Sequence, residues 1–145
     1  MQLKEEMNIR MKVLLVTGQL AERILNESAA RQSKVQFTIK TLPASVAALL
    51  TVNQIAENLR NEDLSDYDLV IVPGMVRGDT SIIEKVIKVP VFKGTRYASD
   101  ISVLLEGSDS VKLSRVEAAD SIISEHLRNK NMAILKAAES AEGTS

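Results

Sequence analysis

With 145 residues, 45% of them apolar and 26% charged, and a formal net charge of −1, the chain has the size and balance of one globular domain. Near-neutral charge argues against a nucleic-acid binder, the absence of cysteine removes disulfides and thiolate metal sites, and no apolar run of about 18 residues is present to cross a bilayer. Cytoplasm is the default expectation, and a chain this long buries roughly 68–70% of its unfolded surface without staples.

The opening stretch MQLKEEMNIR has mixed charge and no apolar segment, so it does not read as a secretory leader. Residues 1–10 are expected to be a flexible extension, and Met1, Met7 and Met11 are equally acceptable starts. Met11 to Val16 (MKVLLV) is nearly continuous in aliphatic residues, as in a strand buried on both faces of a parallel sheet. Leu20, Ile24, Leu25 and Ser28 then recur at helical spacing as far as Gln32. A second strand is expected over Val35 to Leu42, stopped by Pro43.

Thr51 with Gln54 has capping-box spacing and opens a helix to about Arg60. A third strand follows over Asp68 to Val72. Ser81 with Glu84 repeats the capping-box spacing, and Pro90 to Lys93 is a brief fourth strand. A helix from about Ser99 to Glu106 ends at Gly107. Val111 to Leu113 reads as a short fifth strand, and Ser114 with Glu117 precedes a long helix to about Ala141. That helix carries Ile122, Ile123, Leu127, Ile134, Leu135 and Ala138 on an apolar stripe that Arg128 to Asn131 interrupts. Residues 142–145 read as a flexible tail.

Strand and helix alternate about five times across residues 11–141. This pattern predicts a single α/β domain: a doubly wound, mostly parallel sheet of about five strands in a flavodoxin-like three-layer sandwich. In such sheets ligands bind outside the carboxyl ends of the strands, where the strand order reverses. Four glycines fall in those loops: Gly18, Gly74, Gly78 and Gly94. PGMVRGD adds Arg77 and Asp79, and FKGTRYASD adds Lys93, Arg96 and Asp100. Three cations beside flexible turns suit a phosphate or carboxylate, while the alternative is that Arg77–Asp79 and Arg96–Asp100 are ion pairs that order the loops. LPASVAALLT, with Pro43, Ser45 and Thr51, is apolar enough to form a pocket wall or simply to pack. Tyr97 has the choice of stacking on a flat ring or filling core.

Other chemistries lack their residues. His126 is the single histidine and sits mid-helix, which leaves a Ser-His-Asp triad without support. No His, Cys and carboxylate cluster has metal-ligand spacing, neither GxxxxGK[ST] nor GxGxxG occurs, and TGQLAE lacks the hydroxyl-rich phosphate loop of flavodoxins. No cofactor is expected. The Arg77-Gly78-Asp79 tripeptide matches an adhesion motif by chance.

Four blocks, MKVLLVTGQLAE, LPASVAALLT, DLVIVPGMVRGD and VPVFKGTRYASDI, resemble in order and spacing the amino-terminal domain of archaeal dihydropteroate-synthase-related proteins. The resemblance spans roughly Met11 to Ala141. It implies a module that precedes a pterin-binding barrel, with a link to tetrahydromethanopterin or folate-like biosynthesis. The matching positions are Pro43, Ser45, Gly74, Arg77, Gly78, Asp79, Lys93, Gly94, Arg96 and Asp100, with roles unassigned. A barrel needs roughly 250 residues, so condensation of pterin with an aminobenzoate is not expected of this chain alone.

Two readings follow. In the first, a non-catalytic module holds an anionic or pterin-like small molecule, with Arg77, Lys93 and Arg96 gripping the anion and Asp79 and Asp100 orienting them or accepting ring N–H groups. In the second, the loops or the last helix dock on a barrel, in the same chain or another, or on a second copy of the domain. A small enzyme with Asp79 or Asp100 as general base is a third, weaker alternative.

Overall fold

The computed structural model describes residues 10–107 and 113–120. Four strands, β1 (Lys12–Thr17), β2 (Gln36–Thr41), β3 (Leu69–Val72) and β4 (Val91–Lys93), form one parallel sheet in the order β2-β1-β3-β4. Between them run α1 (Glu22–Ala29), α2 (Val52–Leu59) and α3 (Ser81–Ile87), and α4 (Ile101–Glu106) follows β4. This is the doubly wound, flavodoxin-like order, and it reverses direction between β1 and β3.

Alternation along the strands divides the core into two layers. Leu14, Val16, Val70, Val72 and Val91 pack with Val52, Ile55, Leu59, Ile83 and Ile87 of α2 and α3. Val13, Leu15 and Ile71 turn the other way, onto Leu25 and Ala29 of α1 and Ile101, Leu104 and Leu105 of α4. A central strand flanked on both faces has to be apolar at every position, and five of the six residues of β1 are buried. Each fully buried aliphatic side chain stabilises the fold by about 1.5–3 kcal/mol.

Helix starts follow local chemistry. The Thr51 side chain accepts from the Gln54 N–H while the Gln54 side chain accepts from the Thr51 N–H at 2.9 Å, so the expected capping box is formed. The box expected from Ser81 and Glu84 is not. Ser81 lies inside α3, its N–H donates to Asp79 Oδ1 at 2.9 Å, and Glu84 Oε1 is taken by the Val91 N–H and by Arg115 Nε, both at 2.8 Å. The first helix is shorter than its spacing suggests: it begins at Glu22, and Leu20 and Ile24 are exposed while Leu25, Ser28 and Ala29 are buried. A 3-10 turn at Ala98–Asp100 leads into α4, and the helix ends at Gly107 as expected.

The described residues carry four strands rather than about five. Val111 and Lys112 lie outside them, and Leu113 is in no strand. Residues 114–116 nonetheless run beside β4: the Lys93 N–H donates to the Ser114 carbonyl at 2.9 Å, and the Arg115 guanidinium sits 4.7 Å from the centre of the Phe92 ring. Ser114 Oγ accepts from the Glu117 N–H at 3.0 Å, and a helical turn opens at Ala119. The part of the expected long helix beyond Asp120, with its apolar stripe and His126, lies outside the described residues, as do residues 1–9 and the tail 142–145. Among the described residues no helix is long and apolar enough to cross a membrane.

Candidate functional site

At the reversal point, the carboxyl ends of β1 and β3 open into a cavity of about 100 Å³. Its walls are mainly aliphatic: Leu15 and Val16 from β1, Leu25 from α1, Ile71 and Val72 from β3 with Pro73 just after it, and Ile101 from α4. Four of the ten expected site residues line it, namely Gly18, Ser45, Gly94 and Arg96. The lining also includes Thr17 and Thr95, which are only 3% and 4% exposed. Thr95 Oγ1 donates to the Tyr97 carbonyl at 2.7 Å, and Thr17 Oγ1 has only a long contact, 3.3 Å, with the Gly18 carbonyl.

The loops around the cavity are stitched together by backbone. Gln19 N–H donates to the Ala44 carbonyl at 2.8 Å and Leu20 N–H to the Ser45 carbonyl at 3.0 Å, which brings the apolar segment after β2 over the first loop. The approach is close enough that a Cβ on Gly18 would stand 2.6 Å from the Ala47 nitrogen. On the other side, Gly74 N–H donates to the Thr95 carbonyl at 3.1 Å, and a Cβ at Gly74 would meet the Gly94 carbonyl at 2.4 Å. Ala119 N–H donates to the Gly94 carbonyl at 2.8 Å, and the Arg96 N–H donates to Asp120 Oδ1. Ala119 and Asp120 therefore hold the loop that carries Arg96.

The remaining expected residues have other work. Arg77 bridges to the segment before α2: its carbonyl accepts from the Val52 N–H at 3.0 Å, and its guanidinium donates to the Leu49 carbonyl at 3.4 Å. Gly78, at φ 109°, lies against Val52. Asp79 forms no ion pair with Arg77 among the described residues; it caps the start of α3. The Ser81 N–H, its side chain, and more weakly Arg115 and Lys85 hold the Asp79 carboxyl below the usual carboxylate range. Asp100 forms no ion pair with Arg96 among the described residues and stands exposed before α4.

Lys93 is 5% exposed, and its Nζ donates to the Val116 carbonyl at 3.1 Å. Burial pulls its pKa below the usual lysine value, and the charge of Asp79 opposes that shift. The three cations expected to grip one anion are thus engaged separately, Arg77 on the segment before α2, Lys93 on Val116 and Arg96 at the cavity. Of the three, Arg96 alone lines the cavity, its backbone N–H is held by Asp120, and no ion pair of its guanidinium is found among the described residues.

Thr17, Thr95, Leu25, Ile71 and Ile101 were not foreseen as site residues. The aliphatic ones are indistinguishable from core in a linear reading; the threonines could have been found from position, since each sits one residue from a loop glycine. Among the described residues no group of His and carboxylates could hold a metal ion.

A family model described as "Family of unknown function (DUF6513)" matches residues 11–96. Uncharacterized protein MJ0107 of Methanocaldococcus jannaschii is 38% identical over 139 residues, which cover 91% of this chain and 26% of that protein. The chain thus spans about a quarter of the relative's length. No solved structure matches.

Proposed function

The chain belongs to the DUF6513 family, of unknown function, and we propose that within it this domain is a non-catalytic module that binds a small anionic ring compound at the β1/β3 reversal point. One observation carries the reading: a single cavity takes Gly18, Ser45, Gly94 and Arg96 from loops far apart in sequence and sets them at the place where doubly wound folds hold ligands. Arg96 supplies the cation, the threonine and serine hydroxyls supply orientation, and the aliphatic walls take the ring. Among the described residues no carboxylate or histidine lines the cavity: Asp79 caps α3, and Asp100 is not in the lining. The larger size of the relative fits a module working beside further domains.

The resemblance to dihydropteroate-synthase-related proteins supports a link to pterin chemistry and a pterin-binding barrel as the neighbouring partner. The test is calorimetric titration with aromatic and heteroaromatic carboxylates and phosphates. Saturable binding, weakened at least tenfold in Arg96→Ala with the melting temperature nearly unchanged, supports the module. Flat titrations across the panel overturn it.

A second reading is a docking domain. It is favoured by the exposed apolar side chains Leu20, Val46, Leu49, Met75 and Tyr97, all on the loops that follow the strands. Analytical ultracentrifugation of the full chain tests self-association directly; a monomeric mass at high concentration removes the homodimer and leaves a barrel or other domain as the occupant.

A further inference from the structure

Resting on the small-molecule reading, we infer that the cavity selects a single-ring carboxylate and rejects a fused bicyclic one such as a pterin acid. Size carries the first half of the argument. An apolar cavity of roughly 150 Å³ takes one benzene, and sites for drug-sized ligands run from roughly 300 Å³ upward. At about 100 Å³ this cavity has room for one six-membered ring after slight relaxation, and not for two.

The inner wall is packed core, so a second ring would have to stand out at the opening beside the exposed Leu20 and Val46. Leu15, Val72 and Ile101 are each at most 3% exposed and belong to the two packed layers of the core. The Gly18 side is closed by backbone of Ala44, Ser45 and Ala47, and the Gly94 side by the Ile71 side chain and the Val72 carbonyl. Leu25, 6% exposed on α1, is a wall residue outside the strands, and truncating it adds volume while leaving the sheet's own residues in place.

Chemistry carries the second half. Buried ring N–H or carbonyl groups need partners, and each one left without costs about 1–3 kcal/mol. The lining offers two buried hydroxyls, Thr17 and Thr95, the latter already donating to Tyr97. A pterin ring, with its row of donors and acceptors, finds too few partners here, whereas a hydrocarbon ring needs none. The carboxylate belongs at the mouth, where the Arg96 fork matches it bidentately.

The experiment is isothermal titration of the full chain with benzoate, cyclohexanecarboxylate and pterin-6-carboxylate, each against wild type, Arg96→Ala and Leu25→Ala. The expected result is at least tenfold tighter binding of the one-ring acids than of pterin-6-carboxylate in the wild type, with loss of at least tenfold in Arg96→Ala. Leu25→Ala narrows the gap by admitting the larger acid; circular dichroism checks that it folds, and the wild-type comparison decides the matter if it does not. Pterin-6-carboxylate binding as tightly as benzoate overturns the size limit and leaves the module reading standing. Silence from all three acids overturns the single-ring inference, and silence from the phosphates and heteroaromatic acids as well overturns the module.

Discussion

Glycine at position 18 has no room for a side chain: the Ala47 nitrogen and the carbonyls of Ala44 and Ser45 lie 2.6–2.8 Å from where a Cβ would be. All three are backbone atoms, so relief requires the loop to move. Gly18→Ala is therefore expected to cost about 1–3 kcal/mol, the range for overpacking, and to open the cavity wall. Urea denaturation reads the first effect and benzoate titration the second; a variant as stable as wild type means the loop is softer than its hydrogen bonds suggest. Lys93 makes a different prediction. Burial lowers its pKa in the folded protein, so between that lowered value and the ordinary 10.5 the unfolded chain binds more protons than the folded one. Stability contributed at this residue accordingly rises as pH climbs through that window, and below both values it contributes a constant penalty. Lys93→Met removes the charge and keeps the length. Melting temperatures of wild type and variant followed from neutral to alkaline pH are expected to converge as pH rises, and parallel curves exclude the buried-ammonium account.

At the level of elements, the capping residue of α2 shows how much the order of amino acids dictates directly. Thr51 and Gln54 satisfy two of the orphan N–H groups at the helix start, and the helix then lays Val52, Ile55, Ala56 and Leu59 into the core. Thr51→Ala is expected to destabilise by about 1 kcal/mol and Ile55→Ala by about 2–5 kcal/mol; chemical denaturation separates them, and equal losses contradict the division between cap and core. β1 and β3 were legible as short aliphatic runs, and β2 and β4 as β-branched and aromatic residues stopped by Pro43 and Gly94. The Ser81–Glu84 pair was misleading because the same spacing arises when the acidic residue serves a tertiary contact. Glu84 satisfies the first N–H of β4 and holds Arg115, and no pattern within α3 reveals either partner. Leu20 and Ile24 misled in the same way: helical spacing names a stripe, but only packing decides which of its members the neighbouring layer covers.

For the molecule as a whole, the place of the cavity was legible and its lining only in part. Alternating strands and helices locate the reversal point, and the glycines mark the turns around it. Counting charges in those loops suggested a cluster of cations, yet the side chains of Arg77 and Lys93 leave their loops in other directions, and the cavity is walled by residues that read as ordinary core. The same stitching that brings the loops together links the ligand to global stability. Opening the Gln19–Ala44 and Leu20–Ser45 hydrogen bonds removes the wall that carries Ser45 and Ala47. A ligand that binds only the closed form, added at about 100 times its dissociation constant, reduces the open population by about 100-fold, equivalent to about 2.7 kcal/mol. Hydrogen exchange at the Gln19 and Leu20 amides is therefore expected to slow by about that factor on addition of benzoate. The amide of Asn58, near the end of α2 and outside the cavity lining, provides the comparison: because helix ends open locally, its exchange is expected to change much less. Equal slowing at both places would mean that the loop opens only when the whole domain does, and unchanged exchange at Gln19 and Leu20 would mean that the cavity survives without its wall.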